Sequence, residues 1–166
     1  MNDVLQVALD ALRIRITRVF PEQIRKAIQP LSEAQVWWRP NETSNSIGNL
    51  VLHLAGNVRQ WIVTGLGGAP DARDRPAEFA AHAGPGQPSP QAMVEALDAT
   101  VRAAHAGGQG LTPERLLATY PFQGGRFPDT GLACVVHVIE HCSGHAYQIY
   151  AWTKQITGRD LRFYDL

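Results

Sequence analysis

Residues 130–157 read TGLACVVHVIEHCSGHAYQIYAWTKQIT, and this stretch decides the fold class. Asp129 or Thr130 can cap a helix at its start, and Gly158 stops it. At about 100° per residue, Leu132, Val135, Val136, Ile139, Cys142, Ala146 and Ile149 define an apolar arc. Cys134, Val138 and Trp152 widen it on one side. His137, His141 and His145 follow one another at four-residue spacing. Neighbours at that spacing are rotated by about 40° and rise about 6 Å, so two adjacent imidazoles can share one ion. All three are too spread out to bind it together. His145 falls inside the widened side of the arc and His141 on its border. His137 lies further round, with Glu140, Gln148 and Gln155, so the arc selects His141 and His145 as the inward pair.

Working outward, three more helices are expected. Residues 3–29 carry Val4, Leu5, Val7, Ala8, Leu12, Ile16 and Val19 at helical spacing, with Pro21 marking a break or kink and Pro30 an end. Residues 46–64 follow, capped by Asn45 or Ser46 and stopped by Gly65-Leu66-Gly67-Gly68. Ser89-Pro90 opens the third at 89–106, which Gly107-Gly108 closes. The last spans 130–157. Residues 31–45 read as connection. Residues 66–88 read as a long loop without periodicity, the kind that is functional or mobile in compact domains. Thr112-Pro113-Glu114 opens a short helical turn, and 120–129 is a turn or short extended excursion. Four helices without strand alternation predict an all-α fold, an antiparallel four-helix bundle forming a single domain over residues 1–166.

Composition narrows the function classes. Fifteen basic residues balance fifteen acidic ones, so the formal net charge is zero. That argues against nucleic acid or an anionic membrane as partner. No long apolar run suggests a membrane span, and the start of the chain lacks the basic-then-apolar order of a signal peptide. Cys134 and Cys142 are too far apart along one helix to bond to each other, and no zinc-finger spacing occurs. A reduced, cytoplasmic setting is the simplest expectation.

A firm metal site needs more than two imidazoles. On the second helix Ile47, Leu50, Val51, Leu54, Val58, Trp61 and Ile62 form the apolar stripe. His53 sits just beyond its edge, with Asn49 one turn back and Asn57 one turn on. Bundles build metal sites from such inward side chains on facing helices. The plainer alternative is a border histidine that caps a carbonyl or pairs with Glu140. His82 and His105 read as surface imidazoles. Trp37, Trp38, Trp61 and Trp152 either line an apolar pocket or pack the core, with core packing favoured for at least two.

The segment His137-Val138-Ile139-Glu140-His141-Cys142-Ser143-Gly144-His145-Ala146-Tyr147-Gln148-Ile149 resembles the last-helix motif of the DinB/YfiT-like superfamily. Ser46-Ile47-Gly48-Asn49-Leu50-Val51-Leu52-His53-Leu54 resembles that family's second helix with its single histidine. Trp37-Trp38-Arg39-Pro40, the stretch from Asp71 to Phe79, and the tail from Gly158 to Asp165 are similar to an uncharacterised DinB-like subgroup. The resemblance implies a four-helix bundle, usually a homodimer, with one divalent metal ion on His53, His141 and His145. It also implies metal-assisted transfer or isomerisation with a small thiol. Ala146-Tyr147 stands where Arg-Gly is frequent, a departure beside the last implied ligand.

Three neutral imidazoles leave a divalent ion net charge and an open position. Such an ion lowers the pKa of bound water and turns a bound thiol into thiolate. Hydrolysis calls for a carboxylate base nearby. Glu140 points about 100° away from the adjacent ligand, and the helix of His53 has no acidic residue between Glu42 and Asp71. The sequence therefore favours a transferase that joins a low-molecular-weight thiol to a small electrophile. The alternatives are a metal-dependent small-molecule hydrolase and a non-catalytic metal-binding or stress-response protein. Gln148 is either a solvated side chain or a group that orients a ligand. Zn, Ni, Fe and Mn are not distinguished.

Overall fold

The computed structural model describes residues 3–108 and 112–164. Helix α1 runs over 3–28 and contains the expected disturbance at Pro21. Pro21 has no N–H to offer the preceding turn, and its ring crowds that turn. The chain answers with a π turn, Arg15–Val19, directly before it, and the helix resumes as Phe20–Ile28. Ile14, Val19 and Phe20 all keep right-handed helical backbone, so the helix widens there without breaking.

The connection 31–45 holds one short helix, α2, Glu33–Val36, closed by a reciprocal capping box between Ser32 and Gln35. Helix α3 spans 47–66, with regular helix Ile47–Val58 followed by a π segment, Arg59–Leu66. Ser46 caps it as expected: its Oγ accepts from the Asn49 N–H, and Asn49 Oδ1 accepts from the Ser46 N–H. Helix α5, Pro90–Gly108, and helix α7, Gly131–Thr157, complete the four long helices. Thr130 caps α7, and Gly158 ends it at φ 63°. Between α3 and α5 the 66–88 stretch is not featureless. Asp74 caps a helix α4, Arg75–Ala80, whose first turn carries Pro76. Between α5 and α7 lie a short α6, Pro113–Leu117, and an antiparallel hairpin of β1, Thr119–Pro121, and β2, Phe127–Thr130. Its turn uses left-handed backbone at Gln123, Gly124 and Gly125.

The long helices pack in a ring: α1 against α5 and α7, α3 against α5 and α7. Ile24 and Ala27 of α1, Leu50 and Leu54 of α3, Met93 of α5 and Ile149 of α7 are all at most 2% exposed at its centre. Helices α3 and α7 run in opposite directions. Trp61 near the end of α3 meets His137 and Cys134 near the start of α7, while His53, two turns earlier on α3, meets His145. The buried face of α7 is turned further toward the histidines than the sequence arc placed it. Cys134 and Val138 are buried, whereas Leu132 and Val136 are 42% and 50% exposed. An apolar arc wider than its neighbours can cover leaves one edge in solvent.

Both cysteines are free and buried. Burial pushes each thiol up to about 12, which makes them inert packing groups. Among the described residues no helix is long and apolar enough to cross a membrane.

Ile149→Ala should cost about 2–5 kcal/mol, the usual range for emptying a sealed core position. Leu117→Ala, at a side chain 74% exposed, should change stability by less than about 0.5 kcal/mol. Urea unfolding followed by circular dichroism measures both; equal effects would mean that α7 does not face the core as described.

Candidate metal centre

The antiparallel run of α3 against α7 brings His53 to His141 and His145. One ring nitrogen of each lies within 4.8 Å of the others. The ring centroids are 4.9 Å apart for His53 and His141, 5.2 Å for His53 and His145, and 4.5 Å for His141 and His145. His53 is 4% exposed; the two α7 histidines are half-buried. His137 is outside this cluster. Its ring lies against Trp61 at 4.4 Å and stacks on His141 at 5.6 Å. His82 is exposed and His105 half-buried, and neither joins the group.

The partners of the Nδ1 atoms set the tautomers. His53 Nδ1 is 2.9 Å from Glu78 Oε2. A carboxylate only accepts, so His53 carries its proton on Nδ1 and turns a lone pair outward on Nε2. His145 Nδ1 donates to Gln148 Oε1 at 2.6 Å, which leaves Nε2 as its free nitrogen. Gln148 therefore orients His145, the nearer of the two helix-borne ligands. His53 Nε2 and His141 Nε2 face each other at 2.9 Å. Two lone pairs repel at that distance, so a proton or a metal cation belongs between them.

Burial drives His141 down to about 3, helped by His145, His53 and His137 beside it. Burial lowers His145 as well. Neutral imidazoles with exposed lone pairs are the form that binds a divalent ion. The donor set thus fits such an ion, with two of the three rings fixed by an outer hydrogen bond.

Glu78 corrects the sequence reading. An acidic residue does stand beside His53, supplied by α4 rather than by the helix of His53. Arg73 grips it through Nε to Oε1 at 2.8 Å and Nη2 to Oε2 at 2.9 Å. Burial alone would raise this carboxyl, but the hydrogen bonds from Arg73 and His53 outweigh it and hold it below the ordinary carboxylate range. Arg73 Nη1 in turn donates to Gln60 Oε1 at 2.9 Å. Asn49, one turn before His53, donates to the carbonyls of Glu78 at 2.9 Å and Ala81 at 2.8 Å. Phe79 lays its ring 4.8 Å from that of His53.

A groove of about 370 Å³ runs along α7, lined by His137, Glu140, His141, Gly144, His145 and Gln148. That size suits a small molecule. A Cβ on Gly144 would meet nothing within 4 Å, so the groove floor is open between the two ligand turns. None of the four tryptophans lines it. Trp37 and Trp61 are core residues, each 8% exposed, and Trp38 meets Trp152 edge-on at 6.3 Å.

Residues 17–149 match the family model described as the DinB superfamily. Three solved structures share the fold. A conserved protein of Enterococcus faecalis is 16% identical with a TM-score of 0.72, over 90% of this chain and 97% of that one. A DinB-like protein of Bacillus subtilis is 18% identical with a TM-score of 0.66, over 95% and 97%. A DinB-like protein of Bacillus cereus is 16% identical with a TM-score of 0.64, over 82% and 85%. No functionally curated protein matches the chain. The chain belongs to the DinB superfamily.

Acid should destabilise the metal-free protein by a specific route. His141 binds a proton far less readily folded than at its ordinary value of 6.5. Below that value the unfolded chain takes up the proton first, so stability present above pH 6.5 is lost as pH falls toward 3. The lowered carboxyl of Glu78 acts in the same direction from its ordinary 4.5 downward. Thermal melts of the chelator-treated protein between pH 7 and pH 4 should show the melting temperature falling, with a shallower fall in His141→Gln. Identical slopes in the two proteins would contradict the burial of a neutral His141.

Proposed function

We propose that this DinB-superfamily chain holds one divalent metal ion on His53, His141 and His145 and transfers a low-molecular-weight thiol to a small electrophile. The observation that carries the reading is the approach of His53 Nε2 to His141 Nε2, with His145 alongside and Glu78 and Gln148 fixing the outer nitrogens. When bound, such an ion supplies thiolate from a neutral thiol near pH 7. Zn, Ni, Fe and Mn all accept imidazole nitrogen.

The chain's own residues do the positioning. Glu78 keeps the Nδ1 proton on His53, and Gln148 keeps it on His145. The wall of His137 against Trp61 closes one end of the groove, and Gly144 leaves room for the substrate to approach. The pairing of Glu78 with Arg73 and with the far nitrogen of His53 leaves it no free oxygen lone pair directed at the groove, so it is not a general base. That restores the preference for thiol activation over hydrolysis on firmer ground than the supposed lack of a carboxylate.

One observation favours the hydrolase reading: Glu140 lines the groove and is exposed. There it can take a proton from water. We also read the chain as a homodimer. Leu132, Val136 and Tyr147, 42%, 50% and 63% exposed, share one face of α7 beside the groove, and exposed apolar stripes of this kind mark protein contacts. Light scattering at micromolar concentration should give twice the monomer mass.

The enzymatic test is a screen for chelator-sensitive loss of thiol in the presence of generic electrophiles. His145→Ala should abolish it and weaken zinc binding by at least about 10–100-fold, the loss seen even for groups that merely support a ligand. Glu140→Gln should retain it. Activity that ignores added thiol and dies in Glu140→Gln would assign the hydrolase instead.

A further inference from the structure

We infer that the 67–89 connection is a strap whose Arg73–Glu78 clasp positions His53 for the metal, so that metal binding and strap docking reinforce each other. The inference rests on the metal reading above and adds to it residues that lie outside the three histidines.

Four observations converge on the strap. First, the clasp is buried: the side chains of Arg73 and Glu78 are 5% and 9% exposed. A buried ion pair is a poor source of stability, because desolvation offsets most of the attraction and apolar residues of like volume do as well. Its retention calls for another task, and the only described side chains that Glu78 meets in hydrogen bonds are Arg73 and His53. Second, helix α3 is shaped to receive it. A Cβ on Gly56 would fall 1.9 Å from Glu78 Oε1 and 3.0 Å from Arg73 Nε. Glycine in mid-helix costs about 1 kcal/mol relative to alanine, and here it clears the seat of the carboxylate. Third, both ends of the strap are tied to α3. Asp71 Oδ2 accepts from Gln60 at one end, and Asn49 holds the carbonyls of Glu78 and Ala81 at the other. Asn49 is in turn held by Arg39 Nη2 at 2.9 Å. Fourth, Phe79 covers the His53 ring while Arg75 lies over Phe79 at 5.1 Å.

Glu78 is therefore a positioning residue. It touches neither the groove nor the ion's place; it fixes the tautomer and rotation of the one ligand that does not come from α7. A free His53 has two ring orientations and two tautomers, and only one combination presents Nε2 to His141. If the docked strap selects that combination, the ion binds the strapped state better than the open one. Linkage then requires the ion to hold the strap down by the same factor.

The test uses zinc and cobalt(II) with the full-length protein. Glu78→Ala should lower zinc affinity by about 10–100-fold in competition with a chromophoric chelator, while circular dichroism shows an unchanged helical content. Glu78→Gln, which still accepts from Nδ1–H, should recover part of that loss. Gly56→Ala should reproduce the Glu78→Ala defect with the carboxylate still present, because its methyl displaces the clasp. The cobalt(II) visible spectrum should shift in Glu78→Ala, reporting an altered ligand field. Zinc should also slow trypsin cleavage after Arg73 in the parent and fail to do so in Glu78→Ala. A parent that binds zinc with Glu78→Ala and Gly56→Ala within about twofold of it overturns the clasp and leaves the metal centre standing. So does cleavage that is indifferent to zinc. A parent that holds neither ion overturns both.

Discussion

Two imidazole nitrogens at 2.9 Å across the α3–α7 interface need a positive charge between them, and much of the architecture serves that requirement. It fixes the direction of the two helices, since only an antiparallel run lets His53 face His141 and His145 while Trp61 reaches His137. It fixes the depth, because a fully exposed pair of imidazoles would separate into water and a fully sealed one could not exchange its ion. His53 lies in the core and the α7 histidines at the groove, so the centre spans the boundary between packed interior and solvent. The apolar ring of helices supplies the rigidity. The ion has no need to hold the fold together, and the fold holds the ligands within reach of one another.

Both long π segments stand close to functional positions. The one before Pro21 has a local cause in the missing N–H. The one at Arg59–Leu66 carries Trp61 and ends with the Gly67 N–H bonded back to the Ile62 carbonyl at 2.9 Å. A widened turn rotates the side chains that follow it relative to a regular helix. Here it accompanies the contact of Trp61 with both His137 and Phe122 of the hairpin turn, at 4.4 and 4.9 Å. Gly65 makes room for that Phe122 ring, which would otherwise sit 2.4 Å from a Cβ. Helix α3 thus ends by joining the histidine cluster to the hairpin.

The last helix was legible because everything it needs is local: a threonine cap, a glycine stop, and histidines whose spacing converts directly into angle. His53 was legible as an edge residue of a second apolar stripe. The clasp was not. Glu78 is 25 residues from its histidine, in a segment with no hydrophobic period, and periodicity is what sequence reading sees. Two signals were nonetheless present. Asp74-Arg75-Pro76 is a helix start of the ordinary kind, and Gly56 interrupts an otherwise apolar helix where only close approach of another group explains it. Exposure of Leu132 and Val136 escaped for the opposite reason: they sit in the right phase for the core, and only the positions of α1 and α3 decide that nothing covers them.

The glycine at 56 carries a consequence for descent within the superfamily. Its vacancy is useful only while a carboxylate occupies it, and the carboxylate is useful only while a guanidinium neutralises it. Positions 56, 73 and 78 therefore form one inherited unit. A lineage that shortens the strap releases position 56 to acquire a side chain, and once it has done so the strap cannot return by insertion alone. Relatives should fall into two groups, those that keep all three residues and those that have lost all three, with mixed combinations rare.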